Sequence, residues 1–268
     1  MNRRCNHTVV FSGRTPLLIR RLLLCLVAVL ALSGCGTVPV YKVHYRLLED
    51  QTGQLPAGNA LLLPLDIKVK EMTTGGITEV VPAWTDTAVD NFNTSIGRSK
   101  TALFLDLVRL ESTTLTTQES QLLDQHLALN ETVVGSAIGV TGILGGAAWS
   151  HKSEHFDYSI GPGLSFLIAK TGADKALVLT GEDVRSSSGR KAAFIALAMF
   201  GVGIPLGHTV TVADIIDLRS GDILWMNYHV SMADIGYLTP DHTDEILQAL
   251  FKDYPGVEQY REWLSSKK

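Results

Sequence analysis

Two kinds of residue in this chain carry recognisable chemistry: a histidine pair and a cysteine thiol. His151-Lys152-Ser153-Glu154-His155 has the His-x-x-Glu-His spacing of inverted zinc peptidases. On a helix, histidines four residues apart share a face and can hold zinc, with Glu154 as base toward a bound water. No third carboxylate ligand is apparent, and the pattern directly follows a Gly/Ala run. A solvated polar turn is therefore the expectation, with zinc hydrolysis at His151 and His155 the minor alternative. Gly201-x-Gly203-x-x-x-Gly207 has the wrong spacing for a dinucleotide loop and is interrupted by Pro205. No Gly-Lys-Ser/Thr phosphate loop and no Gly-x-Ser-x-Gly elbow occur. The sequence predicts no catalytic residue and no cofactor.

The cysteines are Cys5, Cys25 and Cys35. Ahead of Cys35 runs an apolar stretch, Leu22 to Leu32, preceded by Arg3, Arg4, Arg14, Arg20 and Arg21, with no acidic residue before Glu49. A cationic segment, a short apolar segment and small residues describe an export signal. A spanning helix needs about 20 apolar residues, more than this stretch supplies. Leu32-Ser33-Gly34-Cys35 resembles the lipobox of bacterial lipoproteins. That resemblance implies cleavage between Gly34 and Cys35, acylation of Cys35, and a mature chain that starts there. Residues 1–34 are then signal peptide and 35–58 a lipidated tether. In such lipoproteins an Asp after the Cys commonly retains the protein at the inner membrane. Gly36 stands there, which implies the outer membrane, with the domain facing the periplasm.

Removing residues 1–34, with five Arg and no Asp or Glu, turns 23 basic and 27 acidic residues into 18 and 27, a net −9. So acidic a chain lacks the basic footprint of a nucleic-acid binder. It is equally unsuited to hold anionic headgroups by charge, so attachment falls to the acyl chains, worth ~0.8 kcal/mol per buried CH₂. With Cys35 acylated the mature chain keeps no thiol, which excludes cysteine zinc sites.

The elements that must position anything functional follow from periodicity. Val43–Leu48 reads as a short strand or helix. Ala60–Leu65 is a continuous apolar run, as in a strand covered on both faces. Ile77–Val81 reads as a short strand. Trp84, Ala88, Phe92 and Ile96 recur every four residues after Pro82 and predict a helix. A strand over Ala102–Leu110, a helix over Thr117–Asn130, a helix over Leu164–Lys170 and a strand over Ala176–Gly181 follow. Val210–Leu218 and Ile223–Val230 are two strands joined by Arg219-Ser220-Gly221-Asp222, a hairpin loop. Thr239-Pro240 starts a helix, and a last one is expected over Val257–Leu264.

Residues 173–254 resemble a periplasmic lipoprotein group. Ala173-Asp174 leads into the apolar strand that ends at Gly181, and Asp217-Leu218-Arg219-Ser220-Gly221-Asp222-Ile223-Leu224-Trp225 supplies the hairpin. These pieces are similar to the α/β domain of the TolB N-terminal kind, shared with curli-secretion and LpoB-type lipoproteins. The resemblance implies a mixed sheet with flanking helices over residues 59–268, with insertions near 112–165 and 189–207. It implies a domain that binds and assembles with other envelope proteins rather than an enzyme.

Two uncharged Gly-rich runs, Thr132–Ser150 and Ala192–Gly207, are the strongest functional candidates. Gly135-x-x-x-Gly139 lets helices approach closely. Gly135, Gly139, Phe194, Phe200, Gly201 and Gly203 are candidate contacts to a membrane or to a second copy in a homo-oligomer. The plainer expectation is a helical pair packed on the sheet, with glycines where backbones touch.

Overall fold

The structure is a computed structural model that describes residues 42–49, 59–103, 106–140, 149, 151–152, 155–232, 236–252 and 254. The signal, Gly34, Cys35 and the expected helix at 257–264 lie outside the described residues.

The fold is organised on β6 (Lys175–Ser186). Every residue of its first half, Lys175–Leu179, is buried, as a continuous apolar run requires. β7 (His208–Asp217) pairs antiparallel along it, from Lys175↔Asp217 to Val184↔His208. β8 (Ile223–Ser231) pairs antiparallel with β7, through the predicted hairpin. Gly221 takes φ 77° there, and Asp217 Oδ1 accepts the Arg219 and Ser220 N–H groups at 2.8 and 3.3 Å, a side-chain turn.

The other edge of β6 carries two parallel strands in succession. β2 (Asn59–Leu62) pairs with Lys175–Leu177 and β3 (Asp66–Met72) with Thr180–Ser186. Leu63-Pro64-Leu65 separates them, because Pro64 has no N–H to give a ladder. β5 (Asp106–Arg109) lies parallel outside β2, and β4 (Thr78–Val80) antiparallel outside β3. At the far edge β1 (Lys42–Val43) pairs antiparallel with β8 at Met226 and Trp225. The result is the predicted mixed α/β sheet, eight strands among the described residues, ordered β1-β8-β7-β6-β2-β5 with β3 and β4 beside β6.

Helices cover both faces. α2 (Pro82–Leu103) and α6 (Pro240–Phe251) bury Phe92, Ile96, Ile246 and Leu250 against Leu177, Leu179 and Ile215. Trp225 closes this layer, stacked 5.3 Å from Phe251 and edge-on to Tyr254 at 5.1 Å. On the opposite face α3 (Thr117–Val140), the turn Pro162–Leu164 and α4 (Phe166–Thr171) set Leu123, Leu164 and Leu167 on Leu61, Ala176 and Val178. Residues 42–49, within the expected tether, join the fold: after β1, α1 (Tyr45–Glu49) buries Leu47, and Arg46 pairs with Asp217 and Asp222.

Two boundaries differ from the sequence reading. α2 runs to Leu103, so the strand expected from Ala102 starts at Asp106. α3 continues to Val140 instead of stopping at Asn130. Val134 and Ala137 extend its buried stripe onto Ile223, Met226 and Phe156, which outweighs a glycine penalty of about 1 kcal/mol each at Gly135 and Gly139.

Beneath α3 lies a buried acid. Asn130 Nδ2 donates to both oxygens of Asp214, at 3.1 and 3.2 Å, while its own Oδ1 is buried without a partner among the described residues. Burial pushes the Asp214 carboxyl up to about 7, with the Asn130 hydrogen bond opposing. A proton on Asp214 removes the charge that burial penalises. The unfolded chain gives up this proton near pH 4. The folded chain keeps it to about pH 7, so stability falls as pH rises through that interval, by on the order of 4 kcal/mol in full. Chemical denaturation of Asp214→Asn across pH 4–8 should show that loss removed, with the variant more stable than the parent at pH 8.

Candidate functional site: an apolar end of the sheet

Where β6 ends, the chain turns into α5 (Ser188–Ala198). Ser187 caps it, its Oγ accepting the Arg190 N–H at 3.2 Å. The Ser187 N–H bonds Met72 O on β3 at 3.0 Å, so the helix starts on a sheet strand. Arg190 is buried and holds three carbonyls. Its Nε donates to Pro205 O at 2.8 Å and its Nη1 reaches Thr73 O and Thr74 O at 3.4 Å. Ser186 Oγ donates to Leu206 O beside it. One guanidinium therefore ties the start of α5, the returning strand and the β3–β4 turn. Below, the buried Asp183 carboxylate accepts from Thr209 Oγ1 at 3.2 Å and from the Tyr237 N–H at 3.1 Å. The base of the insertion is firmly built.

Its tip is the opposite. α5 ends in a Schellman closure: Gly201 N–H bonds Ala198 O and Val202 N–H bonds Leu197 O, at 3.0 and 3.1 Å, across Gly201 at φ 74°. That turn lifts Phe200 to 81% and Met199 to 76% exposure, beside Ile195 at 64%. Neighbouring loops at the same end join in. Ile77 and Val80 flank the β3–β4 hairpin, and Val230 and Met232 end β8, Met232 being 74% exposed. Among the described residues every exposed large apolar side chain except Leu129 and Trp149 belongs to this end of the sheet. Apolar exposure so gathered marks an interaction surface.

The candidates from sequence separate between several places. Phe200, Gly201 and Gly203 lie on the tip and Phe194 is half-buried at its root. Gly139 lies on the outer face of α3 and Gly135 lines a groove between α3 and the sheet, and among the described residues a Cβ at either would meet nothing within 4 Å. The expectation that these glycines mark touching backbones is corrected: the helix packs through Leu123, Asn130, Val134 and Ala137 instead. Among the described residues α5 packs on β6 and not as half of a helical pair.

His151 and His155 sit beside β1, toward the opposite end. The His155 N–H bonds His151 O at 2.8 Å, and the two rings stack at 5.4 Å. Tyr45 stacks on His155 at 3.9 Å and is itself followed by His44 at 4.9 Å. Burial depresses the His44 imidazole below its usual range, against the pull of Asp222. Lys152 donates to Asp157 and holds that carboxyl below the usual carboxylate range. The two histidines are in a ring stack, and among the described residues no group of three His, Cys, Asp or Glu is placed to hold a metal. Glu154 lies outside the described residues.

Arg190, Ile77, Val230 and Met232 were not singled out from sequence. Ser187-x-x-Arg190 ahead of an uncharged run was the available signal for the clamp. The other three become neighbours only through strand register.

No protein-family model and no curated protein matches the sequence. Among solved structures, the PelC dodecamer from Paraburkholderia phytofirmans matches at 7% identity over 76% of this chain and 95% of that one, with a TM-score of 0.32. The LpoB C-terminal domain from Salmonella enterica matches at 11% identity over 70% and 95%, with a TM-score of 0.24. The architecture rests on this chain's own topology.

Replacing Arg190 with Ala leaves three carbonyls without their charged donor. A loss of about 2–3 kcal/mol is expected, with hydrogen exchange accelerated over residues 188–206 and at the 73–76 turn. Unchanged exchange there would show that the insertion is held by other contacts.

Proposed function

We propose that this chain is a lipoprotein anchored through acyl chains on Cys35 to the outer membrane, facing the periplasm. It acts as a non-enzymatic binding or assembly component of an envelope system. The observation that carries the reading is the apolar end of the sheet, rigid at Arg190 and exposed at Phe200. A surface of that kind serves contact, with a membrane or with a protein, not chemistry. The mechanism is confinement: an anchored domain meets partners on the same surface at a raised effective concentration.

A second reading is an oligomer that inserts into the membrane within a secretion or transport channel. The open surroundings of Gly135 and Gly139 on α3 favour it. No helix of the described residues is long and apolar enough to cross a membrane. A strictly monomeric acylated protein by native mass spectrometry would remove this reading. Among the described residues His151 and His155 have no third ligand for zinc hydrolysis, and the purified protein is expected to carry no stoichiometric zinc by elemental analysis.

Cys35→Ser tests the anchor. It should abolish incorporation of labelled fatty acid and shift the protein out of the lipoprotein fraction, as a soluble or uncleaved form. Unchanged lipid labelling would mean that Cys35 is not the acylated residue.

A further inference from the structure

We propose that the apolar end seats on the lipid bilayer itself, as a shallow wedge at the interface, with the sheet standing on that end. The proposal rests on the anchoring of Cys35 and goes further by naming what covers the patch and which way the domain faces.

Strand direction is the first argument. β1 runs antiparallel to β8, with Lys42 opposite Met226 and Val43 opposite Trp225. β8 ascends from Ile223 to Ser231, toward the apolar end. The chain therefore enters β1 from the side of Val230 and Met232 and runs away from it. Lys42 stands seven positions after Cys35, a reach of about 25 Å at full extension. From the level of Met226 to Met232 is about 20 Å along the strand. That length is enough for acyl chains on Cys35 to reach the plane of Met232, Phe200 and Ile77.

Composition of the tip decides between lipid and protein as the occupant. From Ala192 to Gly207 no side chain is charged and none can donate or accept a hydrogen bond. Protein interfaces carry about one hydrogen bond per 100–200 Å², and the side chains of this tip offer no partner for one. Phe194, Ile195, Leu197, Met199 and Phe200 instead suit hydrocarbon. At about 1.5 Å per residue, α5 is too short to cross a core of about 30 Å. It has the dimensions of an element buried about 5–10 Å at the headgroup boundary. The His44–Tyr45–His155–His151 stack, beside the lower part of β8, then faces away from the membrane.

The test uses the acylated protein reconstituted into phosphatidylcholine vesicles. Once Cys35 is acylated no other thiol remains, so Phe200→Cys and Arg219→Cys each accept a single environment-sensitive label. Arg219 lies in the β7–β8 loop at the other end of the sheet. The label at 200 should be shielded several-fold from aqueous iodide and quenched by nitroxide lipids, while that at 219 stays open to iodide. Shielding should persist at roughly 1 M salt, where the Debye length is about 3 Å, because no charge holds the tip. Co-flotation with an iodide-accessible label at 200 overturns the proposal and leaves the anchor standing. Loss of co-flotation overturns both. Shielding that grows as protein crowds the vesicles would assign the patch to a second copy and overturn it as well.

Discussion

The structure depends on one long strand serving neighbours at two heights. β6 gives its first residues to β2 on one edge and its later residues to β3, while β7 follows its other edge almost throughout. Only Ala176–Leu179 of β6 enters the helix-covered cores. The strand continues past them to Ser186, and the chain must be turned there without a helix layer above it. That constraint produces a sheet with one closed half and one end where loops meet. Arg190, bonded to carbonyls from both flanking connections, makes that end a fixed surface.

Buried acids of the sheet are arranged to stay neutral or paired. Asp214 faces an amide, not a cation, so the proton is the partner that relieves its burial. Asp183, also buried, has donors from Thr209, Arg185 and Tyr237. One group couples folding to pH, and the other fastens the loop that precedes α6. Neither lies where a substrate could approach, which agrees with a role in contact.

Much of the architecture was legible because burial leaves a periodic trace. The Trp84–Ile96 stripe, the apolar strand at Ala176 and the Ser220-Gly221 turn each depend on neighbours in sequence, and each appears where it was expected. The end of α3 was not, since two glycines in a run of small residues imitate a loop. Only the packing of Val134 and Ala137 on β8 keeps it helical. The candidate surface was half legible. Phe200 and its neighbours stand out as an uncharged run, whereas Ile77 reaches it through the pairing of β3 with β6, more than a hundred residues on, and Val230 and Met232 through the register of β7 with β8. Gly135 and Gly139 were found, but their open surroundings were not foreseeable from spacing.

The central claim is that this protein meets its surroundings through the end of the sheet that bears α5. Hydrogen–deuterium exchange of the acylated protein on vesicles, compared with the same protein in detergent-free solution after removal of its acyl chains, tests it most directly. The account predicts protection confined to residues 77–80, 192–206 and 230–232. Protection at 44–46 and 155–158 instead, with the tip exchanging freely, would contradict it.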